Sequence, residues 1–275
     1  MSWEDEWRMA HERSPLRVTV ENEWRWNEYW DRSAAQYLRE VSSEAALYHQ
    51  VIDHLQSKGW LGPEEDVLDI GCGPGTYSLL LANKVRSVTA LDSSLGMLDV
   101  LSQECKARGL ENVRPLCRSW ERANIEKGYD LVLAALSPAV STATGLFAME
   151  KASRSKCCYI TACVSNWMKT RNELWEMVVG EFVPSDAYSI KYPFNILLET
   201  GRLPDLHHIT ATVEVDFPSR QVIDNYVRYF RIFTAMDLAK VKAIEDYIGS
   251  RSQGGVYTRR TDKCLCIMSW NRPED

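Results

Sequence analysis

The sequence predicts an α/β protein built on a doubly wound, mostly parallel sheet, and three stretches carry that expectation. Asp66-Val67-Leu68-Asp69-Ile70 is a short apolar run with alternating acids, which reads as a buried strand. Gly71-Cys72-Gly73-Pro74-Gly75 follows as a tight turn, because three glycines lift the steric limits on φ and Cβ. Thr76-Tyr77-Ser78 then opens an apolar helix over Leu79 to Ala82. Ser87-Val88-Thr89-Ala90-Leu91-Asp92 is a second strand, ending in an acid about 20 residues beyond the first glycine.

A strand, a glycine turn and a helix bring bare backbone N–H groups against a nucleoside-like ligand, and a carboxylate at Asp92 can accept both ribose hydroxyls. The dinucleotide spacing G-x-G-x-x-G would need a glycine at position 76, where Thr76 stands; the third glycine is Gly75. Asp69-Ile70-Gly71-Cys72-Gly73-Pro74-Gly75 resembles motif I of the class I, Rossmann-like, S-adenosylmethionine-dependent methyltransferases, D/E-x-G-x-G-x-G. Asp92-Ser93-Ser94-Leu95-Gly96-Met97-Leu98 resembles their second motif, in which the residues after the acid line the adenine. The resemblance covers about residues 30 to 165. It implies S-adenosylmethionine as cofactor and S-adenosylhomocysteine as product, held by Asp69, Gly71, Cys72, Gly73, Gly75, Asp92, Ser93 and Met97. A nicotinamide site is the least favoured alternative.

Composition narrows the class. With 45% hydrophobic and 25% charged residues over 275 positions, the chain is globular, with material for one α/β domain plus additions. A net charge of −6 tilts against nucleic-acid acceptors, which usually demand a basic surface. The eight cysteines contain no C-x-x-C pair and fall mostly within apolar strand patterns, so they read as core thiols in a reducing cytosol and no metal is expected. The acidic start MSWEDEWRMAHERS lacks an apolar signal region, and no run approaches the ~20 apolar residues of a membrane span. A cytoplasmic protein, monomer or homodimer, is expected.

Residues 1–60 are dense in aromatics. Trp26, Trp30 and Tyr37 follow helical spacing, with Tyr29 and Ser33 on the same side. Leu38, Val41, Ala45, Tyr48, Ile52 and Leu55 form a second series, within which Ser42-Ser43-Glu44 restarts the helix. The stripe reads as an amphipathic packing face, and also as a lid over the cofactor. In that second role, deleting residues 1–36 should cost activity far more than stability. The resemblance supports a lid, since an aromatic residue ahead of motif I reaches the methionine end of the cofactor in many small-molecule members.

Beyond Asp92, Ser94 caps a helix with Met97, Leu98 and Leu101 on one face, closed by Gly109. Asn112 to Arg118 reads as the third strand. Family members often place an acid and an apolar residue just after it to grip the adenine amine; Ser119-Trp120 stands here, a departure that leaves the acceptor unassigned. Tyr129 to Ala135 is the fourth strand, its carboxyl end adding Ala135 to the cofactor set and Ser137, in Leu136-Ser137-Pro138-Ala139, to the substrate set. That loop is neither the D/N-P-P-Y/F motif of amine and amide methylation nor a Pro-Cys nucleophile. Thr144–Ser153 reads as a helix, Cys157–Val164 as the fifth strand, 171–179 and 193–200 as helices, His208–Asp216 as the sixth strand, 221–248 as helical, and Arg260–Trp270 as the last strand.

The expected architecture is therefore a Rossmann-like doubly wound sheet of about seven mostly parallel strands with an antiparallel edge pair, plus N-terminal helices and helical insertions forming a lid. The divisions are a lid at 1–60, the cofactor-binding core at 61–165, substrate-capping insertions at 166–206 and 217–255, and closing strands at 207–216 and 256–271. The implied reaction is in-line methyl transfer to a small-molecule acceptor, driven by proximity and alignment. Trp26, Tyr29, Trp30, Tyr37, Ser137, Trp167 and Arg171 are the candidate lid or substrate residues, and His207 and His208 the weak candidates for a base. The alternatives are a tRNA or rRNA methyltransferase, marked by a basic stripe along Arg228, Arg231, Arg251, Arg259 and Arg260, and a catalytically silent cofactor-binding subunit.

Overall fold

Runs that are apolar on both sides have no stable place but the middle of a sheet covered on both faces. β1 (Asp66–Ile70), β2 (Ser87–Asp92) and β4 (Tyr129–Ala135) occupy that position in the computed structural model, which describes residues 2–19, 21–165, 169–180 and 186–273. β3 (Val113–Cys117) lies at the edge, where Pro115 removes no needed ladder bond. β5 (Ser153–Ser165) extends the parallel array, and β7 (Val256–Asn271) runs antiparallel between β5 and β6 (Asp205–Pro218). The order is β3-β2-β1-β4-β5-β7-β6, the seven-stranded mixed sheet with a closing antiparallel pair that the sequence predicts.

Alternation along the strands sends Val67, Val88 and Leu133 to one face and Leu68, Leu91 and Val132 to the other. The first face is covered by α3 (Ala45–Ser57), α4 (Ser78–Leu81) and α5 (Leu95–Arg108). The second is covered by α1 (Trp3–Arg13), α6 (Ala143–Ala152) and α8 (Lys191–Glu199). A third apolar cluster stands apart from the sheet. It joins Trp26 of α2 (Glu23–Ser42) to α7 (Lys169–Val178), α9 (Ser219–Phe230) and α10 (Leu238–Gly249), and we call it the cap.

Several elements differ from the sequence expectation. β6 and β7 are longer at both ends, because beyond the reach of β5 they still pair with each other, from Thr212↔Asp262 to Pro218↔Val256. The ribbon so formed carries Phe217 and Tyr257 into the cap cluster. Residues 1–60 are not one packing unit: α1 and α3 lie on opposite faces of the sheet, and α2 bridges to the cap. Trp7 is fully buried, donates from Nε1 to the Ala187 carbonyl at 2.7 Å and stacks on Tyr192. Removing residues 1–36 would thus also open the sheet's second face, so such a deletion should cost stability as well as activity. The segment 166–206 divides likewise, with α7 in the cap and α8 against the sheet.

Candidate active site

The carboxyl ends of β1, β2 and β4 converge on a cavity of about 860 Å³. Its floor is the glycine turn. Gly71 and Cys72 donate their N–H groups to the Leu91 carbonyl at 2.7 and 3.0 Å, tying the turn to the end of β2. The three glycines have φ values of +66°, +55° and +94°, but each meets a different neighbour. A Cβ on Gly71 would lie 2.0 Å from Ser137 Oγ, so the turn after β1 and the loop after β4 touch. A Cβ on Gly75 would strike Leu101 of α5 at 2.4 Å. At Gly73 the nearest atom is Tyr37 Cε1 at 3.8 Å, which leaves its backbone open to the cavity. Leu136, a non-glycine residue at φ +51°, stores strain immediately before Ser137.

Two carboxylates set the electrostatics. Asp92 accepts from the Gly73 N–H at 2.8 Å and the Ser94 N–H at 2.9 Å. Burial raises its pKa from the ordinary value, and those backbone donors pull the other way. Asp69 is buried beneath the turn and accepts from Ser78 Oγ at 2.6 Å. Burial, reinforced by the charge of Asp92, pushes Asp69 up to about 7.

The roof is α2, which presents Trp26, Asn27, Trp30 and Tyr37 to the cavity. It is fixed by Asp31, whose Oδ1 accepts from Ser94 Oγ at 2.6 Å and from the Gly96 N–H at 2.9 Å at the start of α5. Asn27 Oδ1 accepts from Ser93 Oγ at 3.2 Å. The helix that covers the cavity is thus anchored beside the residue expected to hold the ribose.

Most of the expected cofactor residues meet here. Asp69, Gly71, Cys72, Gly73, Asp92 and Ser93 line the cavity, as do Met97, Ser119, Trp120 and Ala135. Gly75 does not; it seats α5 under the turn. Trp120 is buried and donates from Nε1 to the Gly145 carbonyl at 3.2 Å, so it also positions the start of α6. Of the lid candidates, Trp26, Trp30, Tyr37 and Ser137 line the cavity. Tyr29 packs edge-on to Trp26, Trp30 and Tyr229 instead. Trp167 lies outside the described residues. Arg171 is not among the lining residues and donates to Asn172 Oδ1 at 3.2 and 3.0 Å.

The two histidines are corrected by the fold. His207 and His208 stand on β6, the far edge strand, and neither reaches the cavity. His207 stacks on His54 with 4.0 Å between ring centres, and its neighbour faces the other side of the sheet. Sequence reasoning also missed Asp31, Asn27, Tyr77 and Tyr188. Tyr77 stands two residues after Gly75 and had a local signal; Asn27 and Tyr188 reach the lining from distant segments, and Asp31 acts from outside it by anchoring α2.

Comparison with known proteins agrees with this geometry. Residues 67–155 match the family model described as "Methyltransferase domain". An uncharacterized protein of Haemophilus influenzae is 33% identical over 181 residues, covering 66% of this chain and 65% of that one. A malonyl-[acyl-carrier protein] O-methyltransferase of Serratia marcescens is 39% identical over 74 residues, 27% of this chain and 28% of its own. A 23S rRNA (uracil(1939)-C(5))-methyltransferase of Aeromonas salmonicida is 34% identical over 95 residues, 30% of this chain and 20% of its own. The chain thus spans less than two thirds of each of these relatives, and the last two act on different acceptors. The crystal structure of YcgJ from Bacillus subtilis shares the fold, with a TM-score of 0.55 at 14% identity, covering 82% of this chain and all of that one. Residues 67–155, which carry the glycine turn and Asp92, thus match a methyltransferase domain, set on the fold that this chain shares with YcgJ.

Proposed function

We propose that the cavity binds S-adenosylmethionine across the Gly71–Gly75 turn, with Asp92 on the ribose, and methylates a small-molecule acceptor held beneath α2. The carrying observation is the size of the cavity at the glycine turn and Asp92. A cavity of about 860 Å³ lies near the upper end of the range for small-molecule sites, which leaves room for an acceptor beside a nucleoside cofactor. The bound cofactor supplies a methyl group already activated on a sulfonium sulfur, which an acceptor lone pair takes in line while the C–S bonding pair stays on sulfur. The chain supplies placement. Gly73 gives close backbone approach, Asp92 an acceptor for hydroxyls, and Trp30 and Tyr37 aromatic faces that favour a cationic centre and keep water out.

Charge supports a small acceptor over RNA. The arginines that would form a basic stripe are partly spent within the chain: Arg259 pairs with Glu40 at 3.1 Å, Arg228 donates to Gln36 at 3.1 Å, and Arg251 lies over the Tyr247 ring beside Glu173. Among the described residues no helix is long and apolar enough to cross a membrane. Calorimetric titration with S-adenosylmethionine, S-adenosylhomocysteine and NAD tests the cofactor; the first two should bind and NAD should not. Methyl transfer from labelled cofactor to a metabolite panel, with bulk RNA as a parallel acceptor, tests the rest. Transfer to RNA alone would overturn the small-molecule reading.

A further inference from the structure

Four soft or borderline donors gather on one face of the sheet, outside the cavity. Cys264 and Cys266 alternate on β7, so both point away from Leu265, which is buried in the opposite core. His208 lies directly across from Cys266 in the β6–β7 register, and side chains of such a pair meet. Cys163 sits on β5 where the pairing slips between Ala162↔Leu265 and Ser165↔Lys263, an irregularity that re-aims a side chain. The donor atoms of Cys163, His208 and Cys266 all lie within 4.8 Å of one another, and the Cys264 thiol neighbours that of Cys163. None of the four lines the cavity.

We propose that Cys163, His208, Cys264 and Cys266 form a binding site for a soft divalent cation, with zinc the ion their chemistry fits. A tetrahedral zinc with sulfur at ~2.3 Å and nitrogen at ~2.0 Å holds its ligand atoms roughly 3.5–3.8 Å apart. The observed cluster needs side-chain adjustments of about 1 Å to reach that spacing. Three thiolates and an imidazole are the donor set of closed structural zinc sites, whereas hard cations such as magnesium or calcium prefer oxygen donors, which none of these four side chains offers. His208 is exposed, which gives an ion a path in. A search for C-x-x-C spacing passes this site by, because on a strand it is C-x-C that places two thiols on one face.

The position gives the ion a task independent of methyl transfer. Near the level of Cys163 the β6–β7 ribbon leaves the sheet and runs on to the cap. An ion there would clamp β5, β7 and β6 together at the root of that ribbon.

The test uses the full chain, reduced and stripped of metal, titrated with cobalt(II) and then zinc(II). One cobalt per chain should give the intense d–d bands of tetrahedral coordination with sulfur-to-cobalt charge transfer, and zinc should displace it. Cys266→Ser and the exposed, fold-neutral His208→Asn should each weaken zinc binding at least tenfold, and His207→Asn on the opposite face should not. The proposal is overturned if reduced wild type shows no tetrahedral cobalt spectrum, or if His208→Asn and Cys266→Ser bind zinc as tightly as wild type. Isolation of the freshly reduced protein with a re-formed disulfide among these cysteines, unreactive to zinc, would overturn it as well.

Discussion

Asp31 and Gly96 are in backbone contact: a Cβ built on Gly96 would lie 2.6 Å from the Asp31 carbonyl oxygen and 2.6 Å from its Cα. The contact lets the roof helix α2 sit down on the first turn of α5, where the Asp31 carboxylate receives the Gly96 N–H. Only a residue without a side chain admits it. Gly96→Ala therefore has a sign that reports the docking. In a free helix the change would stabilise by about 1 kcal/mol. Here it should lower the thermal midpoint and weaken cofactor binding together; a raised midpoint would mean that α2 does not dock on α5 in solution.

Asp92→Ala should weaken S-adenosylmethionine binding by roughly 1–3 kcal/mol, the cost of losing hydrogen bonds to a charged partner. It should also loosen the turn, since the same carboxylate receives the Gly73 and Ser94 N–H groups. Calorimetric titration reads the first effect and thermal unfolding the second. Unchanged affinity would remove Asp92 from the site.

The glycines of the turn should separate by readout. Gly75→Ala places a methyl against Leu101 and Leu79 in a left-handed backbone, and should cost stability through both overpacking and strain, about 2–4 kcal/mol. Gly73→Ala meets only Tyr37 at 3.8 Å, so its stability loss should be confined to the backbone strain of about 1–2 kcal/mol. Its affinity for S-adenosylmethionine should fall much further than that of the folded Gly75 variant. Gly73→Val should be worse still. Equal losses of affinity in both would deny Gly73 its place at the ligand.

Asp69 carries a pH dependence. The folded protein holds its proton up to about pH 7, whereas an unfolded chain releases it near 3.8. Between those values the native state binds the extra proton, so wild type should lose stability as pH rises, and the loss should level off above about 7. Asp69→Asn keeps an acceptor for Ser78 Oγ without the charge. Its stability relative to wild type should grow across that window by as much as about 4 kcal/mol, measured by urea unfolding from pH 4 to 8. A difference that is flat with pH would show that Asp69 titrates normally.

Trp7→Ala should cost about 3–5 kcal/mol of stability, as expected for a fully buried aromatic that also loses a buried hydrogen bond. Chemical denaturation measures it. A loss below 1 kcal/mol would detach α1 from the sheet and favour the lid reading of residues 1–36 over the packing one.

What was legible in the sequence follows from how local its cause is. The strand Asp66–Ile70, its glycine turn and the acid at Asp92 each rest on residues within a few positions, and their lining of one cavity follows from parallel topology. The break between α2 and α3 at Ser43-Glu44 and the Ser94 and Gly109 caps were legible for the same reason. Asp31 was not, because a carboxylate on a helix face looks solvated until α5 is brought beneath it. Trp7 was hidden by the acidic first turn of α1, which reads as a surface helix. His207 and His208 misled because proximity in sequence to a strand start says nothing of which edge that strand takes, and β6 takes the outer one.

The ribbon of β6 and β7 makes the cap a cantilever. Its reach beyond β5 is set by how many residue pairs extend past the sheet, from Thr212↔Asp262 to Pro218↔Val256. At ~3.3 Å per residue, two more residues in each strand would lift the far end of the cap by roughly 6–7 Å, and an even number would keep every side chain on its own face. The reach of the cap is therefore adjustable by strand length, with the glycine turn left as it stands.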